Sequence, residues 1–284
     1  MRLIRLGPSG AERPHLLLPD DRVVDVTAQV GDFDPAFFAR DGLAALRRLQ
    51  VNDAAGATPM PAVRVGPPVT RPGKIVCIGL NYRDHAEESG APVPTEPVVF
   101  LKAPNTLVGP NDDVHIPRGS TKTDWEVELG IVIGRTCRYL ASHEEALAAI
   151  AGYMVNHDVS EREFQLERGG QWDKGKSCET FNPAGPWLVT ADEVSDPGRL
   201  GLWLDVNGQR RQTGNTRTLI FGVAEVVRYL SQFMVLDPGD IISTGTPAGV
   251  ALGRPDKPYL RAGDVVELGI DGLGRQRQQF VAAP

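Results

Sequence analysis

The chain has 284 residues, 41% hydrophobic and 23% charged, the composition of an ordinary soluble globular protein with one large domain or a small and a larger one. With 30 basic against 36 acidic residues the net charge is -6, and no basic run is present, which argues against nucleic acid as a partner. Three widely spaced cysteines (Cys77, Cys137, Cys178) without a Cys-x-x-Cys fit a reducing compartment; no apolar run suits a signal peptide or a membrane span, so a cytoplasmic location is expected.

Residues 3–6, 15–18 and 23–26 read as short strands, with Asp20-Asp21 turning the chain before the third. Residues 35–49 place Phe37, Phe38, Leu43, Leu46 and Leu49 at helical spacings. Residues 52–73 are rich in Ala, Pro and Gly and mark the best boundary, predicting a small N-terminal domain over 1–65 and a larger domain over 66–284. Beyond it, 74–80 reads as a buried strand, 82–89 as a short polar helix ended by Gly90 and Pro92, and 98–102 as another strand. A helix is expected over 144–151 with Ser142 as N-cap, then an apolar run over 150–155 leading to Asn156-His157-Asp158. A polar helix is expected over 160–167, broken by Gly169-Gly170. Residues 187–190 and 202–206 read as strands, the second entering a hairpin turn at Asn207-Gly208. The clearest amphipathic helix spans 219–233; strands follow at 241–244 and 264–270. Many short strands, few helices and no regular β-α-β alternation predict a β-rich α+β fold.

The most informative stretch is Asp124-Trp125-Glu126-Val127-Glu128-Leu129-Gly130-Ile131-Val132-Ile133. As a strand it puts Trp125, Val127, Leu129, Ile131 and Ile133 on one face and Glu126 and Glu128 together on the other. Paired carboxylates repel, and burying them requires compensation such as a divalent cation with hard oxygen ligands. The competing reading is a solvated strand face. Asp158, at the end of the apolar run, is a third carboxylate within reach, or an N-cap for the helix after it. In His85-Ala86-Glu87-Glu88, His85 and Glu88 are one helical turn apart, and a carboxylate beside an imidazole orients it as a general base; an exposed surface pair is the alternative. Arg162 and Gln165 share a helix face, and Lys176 lies between small residues in Gly175-Lys176-Ser177, where a cation can offset developing negative charge. Lys174 reads as solvated. No dinucleotide fingerprint, P-loop, nucleophile elbow or catalytic-cysteine signature is present.

Five blocks in order carry a resemblance: Gly79-Leu80-Asn81-Tyr82-Arg83-Asp84-His85-Ala86-Glu87-Glu88, Asp124-Trp125-Glu126-Val127-Glu128-Leu129, Asn156-His157-Asp158-Val159-Ser160-Glu161-Arg162, Gly175-Lys176-Ser177 and Ser243-Thr244-Gly245-Thr246-Pro247. Together they resemble the fumarylacetoacetate hydrolase family over about residues 72–270, and the first 60 or so residues look like the small N-terminal domain of its bacterial members. The resemblance implies a catalytic domain of rolled mixed β-sheets, usually in a homodimer. It implies Mg²⁺ or Mn²⁺ on Glu126, Glu128 and Asp158, a His85–Glu88 dyad on a short helix, Lys176 near the metal, and Arg162, Gln165 and Thr246 as substrate contacts. The implied partner is a small oxo acid, with neither nucleic acid nor membrane involved. The implied activity is hydrolysis of a carbon–carbon bond in a ketonic substrate. The blocks look most similar to bacterial hydrolases of 2,4-diketo-3-deoxy sugar acids (rhamnonate or fuconate derivatives), giving pyruvate and a second acid. Oxaloacetate-type decarboxylation and keto-diacid isomerisation share the same chelated oxo acid and remain open. Candidates for the acyl side are Arg83, Gln171, Trp172 and Tyr259.

Overall fold

The computed structural model describes residues 1–48, 56–90 and 92–284. The chain begins with strands β1 (Arg2–Leu6), β2 (Arg13–Leu17) and β3 (Arg22–Asp25), helices α1 (Thr27–Val30), α2 (Pro35–Ala39) and α3 (Gly42–Arg48), and two-residue strands β4 (Thr58–Pro59) and β5 (Val65–Gly66). Next come β6 (Ile75–Gly79), α4 (Arg83–Glu88), β7 (Val98–Lys102), β8 (Leu107–Val108), β9 (Val114–Ile116), β10 (Thr123–Asp124), β11 (Val127–Ile133) and α5 (His143–Ala148). They are followed by β12 (Ile150–His157), β13 (Ser160–Glu161), a π-helical turn (Glu163–Glu167), α6 (Asp173–Lys176) and β14 (Asn182–Thr190). The hairpin β15 (Gly201–Val206) and β16 (Gln209–Asn215), α7 (Val223–Leu230), β17 (Ile241–Ser243), β18 (Val265–Ile270) and β19 (Gly274–Ala282) complete it.

One long mixed sheet runs β4-β3-β2-β1-β14-β12-β11-β17-β6-β7, with β17 and β6 its parallel neighbours along that path. A second sheet runs β16-β15-β18-β19-β9. Trp125, Val127, Leu129, Ile131 and Ile133 enter a core shared with Leu204, Val266, Leu268 and α7. The first strand is built into the same long sheet, because β1 pairs with β14 in the register Arg2↔Val189 and Leu3↔Leu188. Phe33, Phe37 and Leu46 share a core with Ile75, Val132 and Ile241. This is a β-rich α+β fold, and among the described residues no helix is long and apolar enough to cross a membrane.

Several elements differ from expectation, each for a local reason. The helix expected over 35–49 breaks at Arg40-Asp41, where Asp41 takes φ 56, a left-handed conformation that ends a helix; Leu49 and residues 50–55 lie outside the described residues. The helix expected over 219–233 shortens to α7, preceded by Gly222 in an extended conformation. The strand expected over 124–133 is interrupted at Trp125-Glu126. The helix expected over 160–167 instead starts as a strand, because β13 pairs with β10 (Asp124↔Ser160) before the π-helical turn. The expected helix after Ser142 ends at Ala148, since Ile150 already belongs to β12. Strand β19 went unforeseen because its inward positions include Gln276 and Gln278 instead of an apolar series. Gln276 Nε2 donates to the Val155 carbonyl (2.8 Å) and Gln278 Oε1 pairs with His157 Nδ1 (3.0 Å), so polar side chains satisfy a buried face there.

Candidate metal centre and active site

Strands β11 and β12 pair antiparallel in the register Val127↔His157. That register sets the residue before β11 opposite the residue after β12, and Asp158 N donates to Glu126 O at 3.0 Å. Glu128 lies two residues on from Glu126. The three carboxylates therefore converge: one oxygen from each of Glu126, Glu128 and Asp158 lies within 4.8 Å of the others. The face carrying the two glutamates is not solvated, since they are only 4% and 2% exposed. Asp158 is fully buried, and its side chain binds lysines and caps no helix.

Three cations surround this acidic group. Lys176 Nζ donates to Glu126 Oε2 and Asp158 Oδ2, both at 2.7 Å. Lys102 Nζ donates to Asp158 Oδ1 (2.5 Å) and to the Val159 carbonyl (3.0 Å). Arg162 donates to Asp124 (2.8 Å), Glu126 (2.5 Å) and Gln165 Oε1 (3.0 Å). Glu128 alone in the group has no cationic partner; Gly245 N donates to its Oε2 at 2.9 Å. The electrostatics follow. Burial, Asp158 and Glu126 together push the Glu128 carboxyl well above the usual range. Burial acts the same way on Glu126, but Lys176 and Arg162 outweigh it and hold that carboxyl well below the usual range. For Lys176, burial favours the neutral amine, yet Asp158 and Glu126 prevail and raise it above an ordinary lysine. Held between two carboxylates, the Lys176 amine favours its charged form.

Four carboxyl groups (Asp124, Glu126, Glu128, Asp158) face three cations (Lys102, Arg162, Lys176), so the buried group holds one acid in excess, Glu128, whose burial and acidic neighbours favour its uncharged form. An all-oxygen set with that excess fits a hard divalent cation of the magnesium or manganese kind.

The short helix α4 delivers His85 to the same cavity. His85 Nδ1 lies 3.0 Å from Glu88 Oε1. Both Glu88 oxygens accept from Gly249 N (3.0 and 2.9 Å), which ties α4 to the loop after β17. With Nδ1 donating to the carboxylate, Nε2 carries the ring's lone pair. The cavity measures about 190 Å³, and its lining includes His85, Glu126, Glu128, Arg162, Gln165, Lys176 and Thr246. Of the residues singled out in the sequence, Asp158 and Glu88 sit behind these and do not line it; Glu88 acts on the cavity through His85. Thr246 donates its hydroxyl to the Val127 carbonyl at 2.9 Å. Trp172 lines the cavity, whereas Arg83, Gln171 and Tyr259 do not; Lys174 is exposed.

Two contributors were not foreseen. Lys102 was readable by parity, because it shares the inward phase of Phe100 on β7. Asp124 accepts from the backbone of Trp125, Ala251 and Leu252 and from Arg162, and nothing in its own stretch announces that role.

A model of the fumarylacetoacetate (FAA) hydrolase C-terminal domain matches residues 74–281. The chain belongs to the fumarylacetoacetate hydrolase family. Relatives agree along the whole length. A Burkholderia ambifaria (strain MC40-6) protein named as a candidate hydrolase is 55% identical over 285 residues, covering 98% of each chain. Fumarylacetoacetate hydrolase from Exiguobacterium antarcticum superposes with a TM-score of 0.84 at 33% identity, covering 100% of both chains. Maleylpyruvate hydrolase from Sphingobium sp. SYK-6, solved with manganese(II) and pyruvate, gives 0.82 at 32% identity, again over 100% of both. A 5-carboxymethyl-2-hydroxymuconate delta-isomerase from Mycobacterium smegmatis gives 0.78 at 31%, with the same coverage. The family includes hydrolases and isomerases, and this chain is an enzyme of it with a buried acidic triad able to hold a metal ion.

Proposed function

We propose that the protein is a metal-dependent hydrolase that cleaves the C3–C4 bond of a 2,4-dioxo acid to pyruvate and a second carboxylic acid. The observation that carries this reading is the convergence, in one cavity, of a buried carboxylate triad and a carboxylate-held histidine. Glu126, Glu128 and Asp158 would hold Mg²⁺ or Mn²⁺. The cation supplies Lewis acidity to the 2-oxo group and charge stabilisation as the bond breaks.

The chain's own groups do the rest. His85 Nε2, with its ring fixed by Glu88, takes a proton from water. The water oxygen bonds to C4, the C3–C4 electron pair passes to the pyruvyl fragment, and the proton on His85 returns to C3. Lys176 keeps its positive charge beside the triad and stabilises negative charge developing on that fragment. Arg162 holds Glu126 in place, and the Gln165 amide nitrogen and Thr246 lie at the substrate's side. A 2,4-diketo-3-deoxy sugar acid, giving lactate as second product from the rhamnonate or fuconate derivative, is one candidate within this class. Three free cysteines, two of them buried, support a cytoplasmic enzyme, and the family resemblance supports a homodimer.

A second reading, an isomerase or an oxaloacetate-type decarboxylase on the same site, draws on the isomerase relative. Product analysis separates them. With Mg²⁺ or Mn²⁺, a 2,4-dioxo acid yields two carboxylic acids, and His85→Ala lowers the rate about 10²- to 10⁴-fold. Release of CO₂ from oxaloacetate, or isomerisation without cleavage, would replace this reading by the second.

A further inference from the structure

Beyond its acidic group, the cavity is walled by carbon. Leu80, Phe100, Leu166, Trp172 and Leu252 line it, and Leu166 is 42% exposed, which puts it at the mouth. The wall is built with some care. The ring of Trp172 lies edge-on to Phe100 (centroids 5.4 Å apart) and leans over Gly79, where a Cβ would meet it at 2.5 Å. Leu80 holds φ 55, a left-handed conformation unfavourable for a bulky residue, of the kind found where structure is constrained around a ligand.

Most polar side chains of the lining are already engaged; the Gln165 amide nitrogen is left for the substrate, since only its oxygen is used, by Arg162. Arg162 is occupied by Asp124, Glu126 and Gln165, Lys176 by Glu126 and Asp158, and His85 by Glu88. The Ser89 hydroxyl donates to backbone carbonyls of α4, and that of Thr246 to Val127. Among the described residues lining the cavity, no cation lacks a carboxylate partner. A second carboxylate on the substrate would be desolvated without a cationic partner and repelled by the triad; a chain of several hydroxyls would lose water and meet, among the described side chains of the lining, little beyond the single Gln165 amide in exchange.

We infer that the non-chelating end of the substrate is uncharged and apolar, an alkyl or aryl acyl group received by Leu80, Leu166, Trp172 and Leu252, and is neither a second carboxylate nor a polyhydroxylated chain. The inference rests on the reading of the site as an oxo-acid centre and selects within that class.

Isothermal titration of the protein in excess Mn²⁺ with pyruvate, 2-oxobutanoate, 2-oxopentanoate, 2-oxohexanoate and 2-oxoglutarate tests it. Affinity is expected to rise about fourfold per added methylene. 2-Oxoglutarate is expected to bind at least about tenfold more weakly than 2-oxohexanoate, which it matches in size. Leu166→Asp is expected to flatten the series. Turnover should follow the same order, with alkanoylpyruvates ahead of carboxylate-ended and polyhydroxylated 2,4-dioxo acids. A flat series in the unaltered protein, tighter binding of 2-oxoglutarate, or faster turnover of a sugar-derived dioxo acid overturns the inference while leaving the oxo-acid site standing. Pyruvate binding that does not depend on Mn²⁺ overturns the site reading itself, and this inference with it.

Discussion

Asp124 receives two hydrogen bonds on each carboxylate oxygen: Trp125 N and Ala251 N on one, Leu252 N and Arg162 Nε on the other. It does not itself line the cavity, yet it fixes the guanidinium that in turn fixes Glu126. Arg162 is 4% exposed, so its charge depends on these two partners. Burial opposes that charge, but Asp124 and Glu126 raise the group above an ordinary arginine. Removing one partner of a buried pair leaves an uncompensated charge, which typically costs about 3–5 kcal/mol. Asp124→Ala is therefore expected to lose stability of that order in urea unfolding; a change within about 0.5 kcal/mol, typical of surface sites, would contradict the assignment. The acidic pair Glu126 and Glu128 was legible as residues, because spacing by two on a strand needs no tertiary information. Their burial was not, since one face of an antiparallel strand is solvated as often as it is covered.

At the scale of elements, the centre depends on the register of three adjacent strands. Glu126 directly precedes β11 and Glu128 lies on it, Asp158 directly follows β12, and β14 backs β12. The contact between β12 and β14 is close at Gly152, where a Cβ would lie 2.2 Å from the Val189 carbonyl oxygen and 2.9 Å from its carbon. Both are backbone atoms, so β14 would have to move. Gly152→Ala is expected to cost about 1–3 kcal/mol as overpacking. It should also weaken metal binding, because β12 positions Asp158; unchanged stability and affinity would show that the sheet yields at no cost. Strands β1, β2, β3, β6 and β7 were readable from apolar runs and turns, whereas β19 was hidden by inward glutamines. The π-helical turn was also beyond reach: Ser160-Glu161 first pairs with β10, and helical spacing carries no record of that partner.

For the whole molecule, a cation bound only by the folded state adds stability by mass action. At about 100 times its dissociation constant the gain is about 2.7 kcal/mol, and in chains of roughly this size each kcal/mol shifts Tm by about 2–4 °C. Mn²⁺ or Mg²⁺ is therefore expected to raise Tm by several degrees and a chelator to reverse it. His85→Ala should keep the shift. Glu128→Gln should lose most of it while folding well, because burial and its acidic neighbours already favour an uncharged side chain there. An equal shift in both variants would remove the triad from the metal site. The sequence by itself determined the β-rich class, the family and the chemical types gathered at the centre, because strand parity, helical spacing and ordered motifs are local properties of the chain. Only the tertiary structure decided that both faces of the acidic strand are buried, that Lys102 and Asp124 complete the charge balance, and that the cavity wall is apolar. Those depend on which distant segments meet, and the energy of a buried charge is set by the neighbours that replace its water.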